Sequence, residues 1–207
     1  MANPTDFFKT KALAEKRRNK KLKDITFKKY VNFDGIPLEI QNREDWGCYR
    51  PALHKIHQRL KFMTNNYHKV LCIRVDFKVA KEIWADKQFS RFIESEKKRI
   101  CKTYKLADLV YGWGRERNLC GSHHYHLMLV IDGHKVQYPS KIHESLIQRW
   151  KDLGHSSAHW CDHHMITNSF DDDFKKAYCH LSYITKVYTK DEQPMNARNF
   201  GFSRLPS

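Results

Sequence analysis

Residues 123–132 read HHYHLMLVID, and their two-residue alternation sets the tightest limit on the fold. Strand side chains alternate between faces, so Tyr125, Leu127, Leu129 and Ile131 make one apolar face. His124, His126, Met128 and Val130 lie opposite. Lys69–Val79 (KVLCIRVDFKV) repeats the pattern, with Leu71, Ile73, Val75 and Phe77 on one side and Cys72, Arg74 and Asp76 on the other. Leu109–Glu116 does so again, placing Leu109, Tyr111 and Trp113 against Val110, Gly112, Gly114 and Glu116. Half-buried strands of this kind need a shared sheet and a helical cover over their apolar faces.

Helical periodicity supplies the cover. Trp46, Tyr49, Leu53, Ile56, Leu60, Met63 and Tyr67 recur at three- and four-residue steps; Phe89, Phe92, Ile93, Ile100 and Tyr104 form a second stripe. Ile142, Leu146, Ile147, Trp150 and Leu153 form a third, closed by Gly154, and a fourth helix is expected over Asp172–Lys190. Residues 117–122, with Gly121, should connect the second and third strands as a hairpin. A histidine-rich piece, His155–Ile166, and a short one near Asn199–Leu205 complete the set. The order predicts an α+β fold: an antiparallel sheet of about five strands with helices mainly on one face, the other face being free to work.

The formal charge is +15, from 38 Lys+Arg against 23 Asp+Glu. Residues 1–30 hold ten of the basic side chains, Arg17 and Arg18 among them, against Asp6, Glu15 and Asp24, so +7 sits in a basic N-terminal arm that precedes a domain over 31–207. Such a balance implies an anionic partner and disfavours a metabolic enzyme for small neutral substrates. The N-terminus lacks the apolar centre of a signal peptide, and no run approaches the ~20 apolar residues of a membrane span, so the expectation is a cytoplasmic protein with no membrane partner. Six cysteines without a C-x-x-C pair fit reduced thiols better than a disulfide framework.

Two histidines two apart on a strand point the same way and can share one cation, with Glu116 across the hairpin as candidate third ligand. Two surface imidazoles are the plainer alternative. In DDDFKKAYCHLSYITKVYTK, the stripe Phe174, Ala177, Tyr178, Leu181 and Ile184 assigns Tyr178 to the core. Tyr183 shares a face with Cys179, Lys186 and Lys190. A phenol one turn from an ammonium is suited to attack a phosphodiester, although an exposed helix tyrosine would look the same. A second cluster, His155, His159, Cys161, His163 and His164, has the soft ligands of a structural Zn²⁺ site, or else marks a strand's polar face.

Taken together, His124-Tyr125-His126 in an apolar strand and Tyr183-Ile184-Thr185-Lys186 further on resemble the HUH endonuclease superfamily of rolling-circle replication initiators. From about Tyr30 onward the chain is similar to the YagK/YfjJ prophage proteins and the filamentous-phage (inovirus) replication-initiator-like family. Trp113-Gly114-Arg115-Glu116, HYHLMLVIDG, SYITK and Asn199-Phe200-Gly201-Phe202-Ser203-Arg204 carry that similarity. The resemblance implies a ferredoxin-like, HUH Rep-like sheet with His124 and His126 binding Mg²⁺ or Mn²⁺ and Glu116 as third ligand. It further implies Tyr183 as nucleophile, Lys186 as its phosphate-side partner, and a 5′-phosphotyrosine link that leaves a free 3′-OH. Single-stranded DNA at a replication origin would be the substrate, contacted by Arg74, Lys190, Arg204 and the arm, with host replication machinery as a further partner. Tyr178 and Tyr183 lie five residues apart, where two-tyrosine initiators have four, which favours a single nucleophile. The rival reading is a non-catalytic prophage module that binds nucleic acid on its open sheet face, with zinc in a structural role.

Overall fold

A computed structural model describes residues 24–42, 46–79, 86–117, 123–155, 157–167, 172–187 and 198–206. Along the chain come β1 (Ile25–Thr26), β2 (Tyr30–Phe33), β3 (Ile36–Glu39), β4 (Cys48–Tyr49), α1 (Arg50–Asn66), β5 (Val70–Lys78) and α2 (Asp86–Tyr104). There follow β6 (Leu109–Arg117), β7 (His123–Asp132), α3 (Ser140–Asp152), β8 (Ser157–Ile166), α4 (Asp172–Ser182), a 3-10 turn (Tyr183–Thr185) and β9 (Phe200–Phe202). The three alternating segments are the inner strands of a five-stranded antiparallel sheet in the order β8-β5-β7-β6-β9. The α+β class and the β6–β7 pairing are as expected; the connection at 118–122 lies outside the described residues.

One sheet face carries Leu71, Ile73, Val75, Phe77, Tyr125, Leu127, Leu129 and Ile131 under α2 and α3, whose Phe89, Phe92, Ile142, Leu146 and Trp150 complete the core. Trp150 is fully buried, stacks edge-on against Phe77, and donates its indole N–H to Lys78 O at 3.0 Å. Burying an aromatic ring of this kind contributes roughly 1.5–3 kcal/mol.

The second face is less open than the alternation suggested. Val70, Cys72, Val110, Met128 and Val130 lie under α1 and α4, which pack Leu53, Ile56, Leu60, Phe174, Ala177 and Tyr178 onto them. Helices therefore cover both faces, because this face is itself apolar over half its length. Only the end holding Arg74, Asp76, Glu116, His124 and His126 is left for polar work, and the segment Trp46–Tyr49 with the turn after α4 closes over it.

Two helix boundaries differ from the periodicity. α1 begins at Arg50 with Pro51 in its first turn, so Trp46 and Tyr49 stand outside it. α4 ends at Ser182 rather than near Lys190. The Ser182 hydroxyl donates to Cys179 O at 2.6 Å and the Thr185 hydroxyl to Ser182 O at 2.7 Å, tightening the last turn into 3-10 geometry. Lys186 then turns extended and bridges Cys48. The end of the stretch read as a basic arm joins the fold, since Ile25–Thr26 pairs with Cys48–Tyr49.

Candidate active site

Sheet register builds the site. Asp76 on β5 stands opposite His126 on β7, which stands opposite Gly114 on β6, and one step outward come Lys78, His124 and Glu116. Because Gly114 presents no side chain, the His126 ring sits between carboxylates on either side. Its Nδ1 is 2.8 Å from Asp76 Oδ1 and its Nε2 3.2 Å from Glu116 Oε2, though neither nitrogen is aligned for a good hydrogen bond. His126 is 4 % exposed.

The turn after α4 lowers Tyr183 and Lys186 onto this row. Lys186 Nζ donates to the Tyr183 phenol oxygen at 2.6 Å and lies 3.0 Å from Glu116 Oε2. The same ammonium sits between two aromatic faces, 4.3 Å from the Tyr183 centroid and 4.5 Å from that of Trp46. Arg74 stacks on the Tyr183 ring at 3.9 Å while its guanidinium grips Asp76 by two bonds of 3.0 and 2.7 Å. The His126 ring meets Tyr183 edge-on at 5.0 Å. Tyr183 itself is half-buried, resting on this floor of charged and aromatic groups.

Electrostatics follow from this packing. Burial works to raise the Asp76 carboxyl, but His126 and Arg74 overcome it and hold the group well below the usual carboxylate range. Burial lowers His124, helped by neighbouring His126, and so favours its neutral, metal-ligating form. Tyr178, by contrast, is fully buried; burial pushes its phenol up, and its hydroxyl donates to Leu53 O at 3.3 Å. Of the two tyrosines only Tyr183 is placed for chemistry.

His124, His126, Glu116, Tyr183 and Lys186 thus meet at one end of the sheet. Arg74, expected to contact DNA, is instead buried beneath the tyrosine and engaged by Asp76. Arg204 is exposed just beyond β9; Arg17, Arg18 and Lys190 lie outside the described residues. The second histidine cluster does not converge. His155 stacks on Trp150 at 4.1 Å, His163 is opposite Ile73 on the α2–α3 side, and His164 faces α4, where its Nε2 is 3.0 Å from His180 Nδ1. Asp76 and Trp46 were missed as site residues. Asp76 was legible from its alternation with Arg74, and Trp46 from Pro51, which marks where the helix starts.

Two imidazoles and a carboxylate on one face are a mixed nitrogen and oxygen donor set, in which the carboxylate suits Mn²⁺ or Mg²⁺ and the imidazoles favour a softer transition ion. His124 Nε2 and His126 Nε2 are buried with no hydrogen-bond partner among the described residues, and Asp76 beside His126 Nδ1 leaves Nε2 as the outward donor. Among the described residues, no group of three or more His, Cys, Asp or Glu side chains is placed so that it could hold a metal ion. The two imidazoles and Glu116 share one face in the register of β6 and β7, with Glu116 Oε2 held 3.0 Å from Lys186 Nζ.

A sequence model of the family described as "YagK/YfjJ C-terminal domain" matches residues 33–203. No curated protein and no solved structure matches the chain. Among the described residues no helix is long and apolar enough to cross a membrane.

Proposed function

The chain belongs to the YagK/YfjJ C-terminal domain family, and from that premise we propose that it is an HUH-type replication initiator of the inovirus-like kind, which nicks and rejoins single-stranded DNA through Tyr183. The observation that carries the reading is the Tyr183 hydroxyl held 2.6 Å from Lys186 Nζ above a row of His124, His126 and Glu116.

In the proposed reaction the Tyr183 oxygen attacks the scissile phosphorus, a P–O(Tyr) bond forms and the P–O3′ bond breaks. The phenol proton passes to solvent and the departing 3′ oxygen takes one up, so the products are a 5′-phosphotyrosine and a free 3′-OH. Lys186 offsets the charge that gathers on the phosphoryl oxygens. Arg74 and Trp46 hold the ring and the ammonium in place, and Asp76 orients His126. Mg²⁺ or Mn²⁺, held by His124, His126 and Glu116, would polarise a non-bridging phosphate oxygen. Reversal by the 3′-OH rejoins the strand.

Incubating the full chain with single-stranded origin-type DNA and Mn²⁺ should yield an adduct that survives denaturing gel electrophoresis. Tyr183→Phe should abolish it and Tyr178→Phe should retain it. A nucleic-acid-binding module without chemistry would shift the DNA in native gels and give no adduct with any strand.

A further inference from the structure

Granting the nicking activity proposed above, we infer that a groove beside Tyr183 is a nucleobase subsite, which takes an unstacked base of the single strand next to the scissile phosphate. The groove has a volume of about 490 Å³, and its wall includes Phe27, Lys29, Gln41, Asn42, Trp46 and the nucleophile Tyr183. That is ample for a base and its sugar.

The lining has the makings of a stacking platform. Phe27 is 64 % exposed and lies in the groove wall with Trp46. It is held in place by Gly47, whose φ of +58° and missing Cβ let the Phe27 and Ile25 side chains lie directly on the backbone; a Cβ there would come within 2.9 Å of the Phe27 ring. Gly47 follows Trp46, so the turn seats both aromatic rings at the groove. Its carbonyl accepts the Val187 N–H at 2.9 Å, tying that turn to the chain just after Lys186. The opposite wall is tied to the nucleophile as well, since Gln41 N–H donates to the Ser182 hydroxyl at 2.8 Å. Aromatic faces stack any base, and the amides of Gln41 and Asn42 provide polar contacts for base edges, while Lys29 in the same wall is paired with Glu39 at 3.2 Å.

A strand fits better than a free nucleotide. A second concavity, also of about 490 Å³, shares Glu39, Gln41 and Cys179 with the groove, and its wall carries Lys175 and Lys176 together with Asp162 and Asp172. Two adjoining hollows beside one nucleophile suit neighbouring nucleotides of a strand.

The test reads binding without cleavage: full chain carrying Tyr183→Phe, in EDTA, by fluorescence anisotropy. The probes are a labelled single strand of about 20 nucleotides and the same strand built of abasic spacers. The base-bearing strand should bind at least about 10-fold tighter, and Phe27→Ala should weaken it about 5–100-fold without changing the abasic strand. Phe27→Trp should keep the preference. Equal affinity for the two probes, equal weakening of both by Phe27→Ala, or a Phe27→Trp that behaves as Phe27→Ala would each overturn the subsite. Base preference in a chain that forms no adduct would sink the nicking reading alone, whereas adduct formation without base preference would sink the subsite alone.

Discussion

Asp76 connects the two halves of the site, since it touches His126 on one side and grips Arg74, the support of the Tyr183 ring, on the other. Carboxylates in that relation to a ligating histidine fix its tautomer and basicity. Asp76→Asn should raise the Mn²⁺ concentration needed for half-maximal adduct formation about 10–100-fold while saturating Mn²⁺ restores most of the rate. An unchanged metal requirement, read by titrating Mn²⁺, would remove Asp76 from the site. At this scale the sequence was readable wherever alternation applied: Arg74, Asp76, Glu116, His124 and His126 share a face because strand parity requires it. Trp46 was not readable by spacing alone. Its three-residue step to Tyr49 continues the α1 stripe, and only Pro51 indicates that the helix begins later.

Among the elements, the end of α4 matters most, because its change to a 3-10 turn delivers Tyr183 and Lys186 to the sheet. The Ser182 hydroxyl serves that turn twice, donating to Cys179 O and accepting from Gln41 N–H. Ser182→Ala should cost about 1–2 kcal/mol in urea unfolding, by loss of a buried hydrogen bond and desertion of its partner. It should also slow adduct formation more than that stability loss explains; a variant with native rates would show that the turn needs no such clamp. Helical periodicity ran on past Ser182 because Ile184 and Lys186 keep the spacing, whereas local hydroxyl-to-carbonyl bonds decided where the helix stopped. The β2–β3 hairpin carries its signal in the Asp34-Gly35 pair, whose positive φ of 54° and 81° are what a two-residue hairpin turn demands.

For the whole molecule, the antiparallel sheet and the β6–β7 pairing were legible, while the full strand order and the division of helices over both faces were not. Val110, Met128 and Val130 shared parity with the histidines and marked half of that face for burial. Packing on both faces also buries histidines. Burial lowers His143 to about 4 and, assisted by Arg74 and His164, lowers His180 to about 4. The unfolded chain takes up these protons near the ordinary histidine value of about 6.5. Their contribution to stability is therefore complete above about pH 6.5 and falls as pH drops from there toward 4. Urea midpoints measured at neutral pH and near pH 5 should show the decline, and His143→Phe should flatten it; a midpoint independent of pH over that range would contradict the burial of these rings. The proposed chemistry requires that Tyr183 become covalently joined to a DNA 5′-phosphate. Mass spectrometry of the nuclease-trimmed, protease-digested complex should find a nucleotide mass on the peptide containing Tyr183, while a nucleotide on any other residue, or nicked DNA without a protein-bound nucleotide, would contradict it.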